Sequence, residues 1–301
     1  MARSKGQIEG QQWLFPDTDF HDPRHKFKPL TRPLWTERKA ALVARYLHYF
    51  VLVTKHGTYI DAFAGRQSEH AQEGWAVEEV LKNRPDWIRK LHLFERSESK
   101  CDELEELKAA YPDRKIEVFC GDTNLELPAQ LTVGSLREKE ASFCLLDQRT
   151  FECKWDLCRH VAAIKPTGFK VEQFYFLAQG WLDRAFSGIK TEAGRRLVRD
   201  WWGRDDSAAV QDMDGFQRAE VMTARFRDEL GYAEAYPWPI RANEPGSRVM
   251  YYMIHATDHP AAAPLMRRAY EWAVAPVDED TDQLQMEFQS IPWQHDIEDD
   301  R

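Results

Sequence analysis

Apolar positions along the chain recur at two different periods. Between Trp35 and His56, Leu42, Tyr46, Leu47 and Phe50 fall at helical spacing, and Thr36 stands where an N-cap belongs. Beyond that helix, short apolar runs alternate with amphipathic stretches. Thr58–Phe63 (TYIDAF), Leu91–Phe94, Ile116–Phe119, Ser142–Leu146 and Val171–Leu177 read as strands. Gly74–Asn83, Ser99–Ala110 and Trp155–Ile164 read as helices, the last stopped by Pro166 and Gly168. Strands that alternate with helices imply a parallel sheet covered on both faces. The last third changes character. Helices are expected over Glu192–Trp202, Phe216–Leu230 and Pro264–Ala273. Ala235–Ile240 and Val249–Ala256 flank the turn-rich RANEPGS as a hairpin.

The expected fold is therefore α/β: a Rossmann-like doubly wound sheet of about seven strands, the last two a hairpin, with a helical insertion at about 185–231. Residues 1–33, with Pro16, Pro23, Pro29 and Pro33, read as an extended arm. The domain runs over 34–277, and 278–301 form an acidic tail.

In open sheets of this kind the ligand lies beyond the carboxyl ends of the strands. The residues there are Asp61, Phe63 and Gly65 after the first strand, Glu95 after the second, Asp122 after the third and Asp147 after the fourth. Four acids at successive strand ends point to a nucleotide-like ligand. Each also fits a plainer role, because an acid at that place caps the next helix. The glycine signal is a single Gly65 followed by Arg66 and Gln67, without the GxGxxG fingerprint.

Composition narrows the classes. The net charge of −9 does not describe a general polyanion binder, and Arg195-Arg196, Arg199 and Arg267-Arg268 read as solvated helix faces. Five cysteines, without a CxxC pair, indicate neither a disulfide framework nor a zinc site. Cys120 and Cys144 are expected as core thiols in a reducing, cytoplasmic setting. No apolar run approaches membrane length, and no metal site is expected.

The strand census is that of class I S-adenosylmethionine (SAM) methyltransferases. More specifically, the chain resembles the three-Cys-motif partner proteins. The resemblance runs from Trp35 to Tyr270 and rests on WTERKAALVARYL with YIDAFAG, on DQRTFECKW, and on YYMIHATDHPAAAPLM. It implies a methyltransferase-type Rossmann fold and a companion with a cysteine-cluster motif suggestive of radical-SAM or iron–sulfur chemistry, in phage or mobile-element neighbourhoods. With SAM as cofactor, Asp61, Phe63, Gly65, Glu95 and Asp122 would hold it: Asp61 the ammonium, Glu95 the ribose, Asp122 the adenine amino group. The chain departs from amino-methylating relatives at Gln67, where they keep a second glycine. It departs again after Asp147, where they keep an Asp/Asn-Pro-Pro-aromatic loop.

The loop DQRTFECKW admits three readings. As a transferase loop, Asp147, Gln148, Arg149 and Phe151 face the reaction, on a nucleic acid or nucleotide-like acceptor. As a nuclease site, Glu152 and Lys154 form an E-x-K that would use Mg²⁺. As part of a catalytically altered scaffold subunit, Gln148, Arg149 and Glu152 brace the loop. Two further clusters favour structural roles: Thr257-Asp258-His259 as a helix cap, and Trp201-Trp202-Gly203-Arg204 as core or partner contact.

Overall fold

A computed structural model describes residues 34–35, 38–66, 74–241 and 249–274. The arm, Gln67 and the acidic tail lie outside the described residues. The chain order begins β1 (Leu34–Trp35), α1 (Lys39–Thr54), β2 (Gly57–Asp61), α2 (Ala76–Lys82), β3 (Ile88–Glu95), α3 (Glu98–Ala110) and β4 (Ile116–Cys120). It continues α4 (Thr123–Gln130), β5 (Ser142–Leu146), α5 (Trp155–Ala163) and β6 (Glu172–Leu177). Then come α6 (Gln179–Gly188), α7 (Glu192–Trp202), α8 (Ala209–Asp212), α9 (Gly215–Asp228), β7 (Glu234–Arg241), β8 (Val249–Thr257) and α10 (Ala262–Val274).

The strands form one sheet in the order β1-β7-β8-β6-β5-β2-β3-β4. β2 to β6 run parallel, and β7 and β8 are an antiparallel hairpin. Seven of these strands in this order are the class I methyltransferase-like arrangement. The eighth, β1, is a two-residue addition beside the end of β7. Leu34–Trp35 therefore pair as a strand, and α1 begins only at Lys39, later than the pattern indicated; its N-cap residue is Arg38, without a side-chain cap. Pro237 and Pro239 stand within β7. Among the described residues β1 pairs only with Ile240 and Arg241, so neither proline opposes a described strand on that side, where a missing N–H costs little.

The central strands are buried on both faces, which explains their unbroken apolar runs. Phe143, Leu145, Phe174 and Phe176 face α1, α2 and α10. Cys144, Leu146, Tyr175 and Leu177 face α5, α7 and α9. Consecutive side chains thus serve opposite cores, as the two-residue period of a strand requires. The insertion begins at Gln179, earlier than expected, and wraps the second face. Its Trp201 and Trp202 are fully buried, and Arg225 lies between Trp155 and Trp202, 3.9 and 4.7 Å from the ring centroids. Gly203 has φ of 71°, and a Cβ there would stand 2.5 Å from Trp155, so this tryptophan cluster is packing.

β8 runs against β6, so Thr257 lies at the sheet end opposite the carboxyl ends of the parallel strands. Asp258 accepts from Lys170 N–H and Ala233 N–H, and His259 Nδ1 accepts from Ala261 N–H just before α10. Asp258 thus ties the segments before β6 and β7 together, and His259 braces the turn into α10. No helix among the described residues is long and apolar enough to cross a membrane.

The cysteines correct one expectation. Cys120 is exposed and joined to Cys101 in a disulfide, while Cys144 is a buried free thiol. Alternation alone does not reveal this, because β4 is the last strand of the sheet and its end faces α3 rather than a second layer.

Candidate functional site

The strand order reverses between β2 and β5, and here the loops after β2 to β5 diverge to leave a crevice. It is a cleft of about 640 Å³, within the ~300–1,000 Å³ usual for small-molecule sites. Phe63, Gly65, Glu95, Asp122, Asp147, Arg149 and Phe151 all line it. Asp61 lines a pocket of about 40 Å³ that shares Gly65 and Asp147 with the cleft and adds Lys39. Gln148 lines neither.

Asp61 ends β2 and is buried. Tyr59 O–H donates to its Oδ2 at 2.7 Å, and Phe63 N–H donates to Oδ1 at 3.1 Å. Burial pushes its carboxyl up to about 7; the two hydrogen bonds pull it back, and the nearby Asp147 and Glu95 add to the rise. Near neutral pH it is poised between acid and anion, and a cation placed against it would ionise it.

Glu95 is held by backbone. Its Oε2 accepts from Gly65 N–H at 2.9 Å, and its Oε1 accepts from Arg96 and Ser97 N–H at 2.8 and 2.7 Å. Ser97 is the N-cap residue of α3 but does not cap with its own side chain, so Glu95 satisfies the helix start instead. A Cβ on residue 65 would stand 2.0 Å from Glu95 Oε2, so only glycine allows this approach. A carboxylate has about four acceptor sites, so roughly one is left for a ligand hydroxyl.

Asp122 caps α4: its Oδ1 accepts from Asn124 N–H and from Asn124 Nδ2 at 3.0 and 2.8 Å. Asn124 also donates to the Glu152 carbonyl at 2.8 Å and accepts from Lys154 N–H at 3.0 Å. One side chain thereby ties the β4–α4 turn to the DQRTFECKW loop. No local pattern announces this, since a turn asparagine is commonplace.

Asp147 ends the buried β5 in an ion pair. Lys39 Nζ lies 2.9 and 2.7 Å from its two oxygens, and both residues are about 9% exposed. Lys39 also lies 5.0 Å from the Phe176 ring centroid and 4.9 Å from that of Tyr251. The pairing spans 108 positions, so nothing local signals it. It makes Asp147 a charge-assisted partner rather than a solitary base.

The rest of the loop folds inward. Gln148 is 1% exposed, and its Oε1 accepts from Cys153 N–H at 3.0 Å; it braces the loop instead of facing the cleft. Glu152 Oε2 accepts from Arg149 N–H at 2.8 Å. Phe151 is 4% exposed and packs on Phe186 and Trp201, each 5.2 Å away, so only its margin reaches the cleft. Arg149 is exposed on the cleft wall. Lys154 Nζ sits 3.7 Å from Asp200 rather than beside Glu152. Among the described residues, no three His, Cys, Asp or Glu side chains are grouped to hold a metal ion.

No family profile matches the chain, and no curated protein does. Among solved structures it is similar to TYW2 of M. jannaschii in complex with AdoMet, at 10% identity over 73% of each chain with a TM-score of 0.38. It is similar to a DUF574 family protein from Streptomyces avermitilis at 13% identity, over 73% of this chain and 83% of that one, with a TM-score of 0.44. It is also similar to the CurJ carbon methyltransferase at 12% identity and a TM-score of 0.42, over 67% of this chain but only 49% of that one. These likenesses concern fold alone.

Proposed function

We propose that the protein is a SAM-dependent methyltransferase-like protein that works with a three-Cys-motif companion on a nucleic acid or nucleotide-like acceptor. The observation that supports this reading is the convergence of Gly65, Glu95, Asp122 and Asp147, each from a different strand end, on one cleft of ligand size. The residues present fit the cofactor. Gly65 lets Glu95 seat against the first loop, Glu95 keeps an acceptor site for a ribose hydroxyl, and the buried Asp61 suits an ammonium group. SAM would supply an electrophilic methyl group on sulfonium. The chain's part is to hold cofactor and acceptor together and keep water out, which is the larger share of the work in a direct transfer. Lys39 holds Asp147 in one orientation, and the Asn124 clamp fixes the loop that carries Arg149.

A second reading has its own observation. Glu95 and Asp122 are both committed to helix starts, and Gln148 is buried, as a catalytically altered scaffold subunit would have them. Calorimetric titration with SAM and S-adenosylhomocysteine separates the two. Saturable binding, lost in Glu95→Ala and weakened in the cap-preserving Glu95→Gln, supports the transferase. Folded wild-type protein that binds neither at millimolar ligand supports the scaffold.

A further inference from the structure

The helix that starts at Glu95 has a thin hold on the sheet. In α3, a helix of 13 residues, only Cys101 and Leu104 are buried, with Leu107 half-buried beside them. One of these few anchors is a sulfur. Cys101 stands at the end of the first turn of α3 and is bonded to Cys120, the last residue of β4. Cys120 is in register with Glu95, the last residue of β3. The Glu95 carbonyl accepts from Gly121 N–H at 2.9 Å, and Cys101 Sγ lies 3.4 Å from the same oxygen.

The bridge therefore closes around the two strand ends that turn into the cleft. One carries Glu95, whose carboxylate holds the Arg96 and Ser97 N–H groups at the start of α3 and lines the cleft. The other leads through Gly121 to Asp122, the N-cap residue of α4. Sheet packing does not explain the bond, because β4 is the last strand of the sheet and Cys120 is exposed. What the bond fixes is the start of α3 against the end of β4, and with it the place of the Glu95 carboxylate. The two halves are also unequal. Cys120 is open to a reductant, whereas Cys101 is 3% exposed and lies in a first helical turn, where a departing thiolate is stabilised. Cys153 and Cys158, 3.7 Å apart on the side of the DQRTFECKW loop, are buried free thiols without that access.

We propose that Cys101–Cys120 is a redox switch on the cleft: the closed bond holds Glu95 in place for the ligand, and reduction frees the start of α3 and weakens cofactor binding. This rests on the reading of the cleft as a SAM site. The step is exchange with a dithiol reductant. One thiol of the reductant gives its proton to water and attacks the Cys120 sulfur; the S–S bond breaks, and Cys101 leaves with the electron pair and takes up a proton. The second thiol displaces Cys120 from the mixed disulfide in the same way. Two electrons pass to the protein, and the reductant ends as a disulfide.

The test titrates the full chain with S-adenosylhomocysteine by calorimetry, oxidised and after dithiothreitol, and follows amide exchange in both states. Cys101→Ser/Cys120→Ser is measured beside wild type. Reduced wild type should stay folded and bind about fivefold more weakly, the worth of one hydrogen bond. Exchange should rise in 96–104 and 121–126 alone. Reoxidation should restore the affinity, and the double variant should bind as reduced wild type does, with or without dithiothreitol. Equal affinity in the two states overturns the proposal and leaves the cofactor reading standing. A response to dithiothreitol in the double variant also overturns it, since that response would belong to the other cysteines. So does exchange raised across the whole sheet, which is unfolding rather than a local release. If the oxidised protein does not bind S-adenosylhomocysteine, both readings fall.

Discussion

Asp61 makes the sharpest test of the site's electrostatics. Its carboxyl is raised from 3.8 to about 7, chiefly by burial. Between those two values the folded state binds a proton that the unfolded state has released. Stability from this group is therefore fully present below about pH 4 and is lost as pH rises through 7. Two-state linkage with these pKa values gives a fall in unfolding free energy of about 3 kcal/mol between pH 5 and pH 8. Asp61→Asn removes the titration but keeps an acceptor for Phe63 N–H and a polar partner for Tyr59. Denaturant unfolding of both proteins at half-unit steps isolates the term, because titrating groups that do not interact with Asp61 cancel in the difference. Asp61→Asn should be the less stable protein at pH 5 by the small cost of an imperfect hydrogen bond, and should overtake wild type toward pH 8. Parallel curves over that range would refute the argument, since they would mean that Asp61 is solvated well enough to ionise normally. The same shift predicts proton release when a cationic ligand binds near pH 6, readable as a buffer dependence of the calorimetric enthalpy.

Other consequences are simpler to check. Lys39→Met leaves Asp147 buried without its cation and should cost about 3 kcal/mol, the range for breaking a buried pair, whereas Lys39→Met/Asp147→Leu should recover most of it; chemical denaturation reads both. Gly65→Ala forces the Glu95 carboxylate away from a Cβ 2.0 Å off, and should lower S-adenosylhomocysteine affinity at least tenfold in calorimetry. Thiol titration in denaturant should find three free cysteines, and reduction of Cys101–Cys120, which closes a loop of about 20 residues, should cost about 3 kcal/mol of stability. Asn124→Ala should raise amide exchange in 148–154 without unfolding the sheet, because it removes the bonds that tie that loop to α4.

The chain's pattern alone carries the alternation of strands and helices, the terminal hairpin and the acids at the strand ends. All of these are local: a strand buried on both faces must be apolar throughout, and its end must turn polar. The position of the cleft follows from the same pattern, since a doubly wound sheet has one switch point. What each acid does there is another matter. Glu95 and Asp122 could cap a helix or meet a ligand on sequence grounds equally well. The structure gives both a capping role, leaving Glu95 about one acceptor site for a ligand hydroxyl. Gln148 reads equally as a reactive-loop residue or as a brace of the loop, and in the fold it is buried with its Oε1 on Cys153 N–H. Lys39 and Asn124 were illegible, since their partners lie 108 and about 30 positions away and no period links them. Hydrophobic order along a chain is set by local geometry and can be read locally. The partner of a charge is chosen by which loops the finished sheet brings within about 3 Å, and only the folded chain decides that.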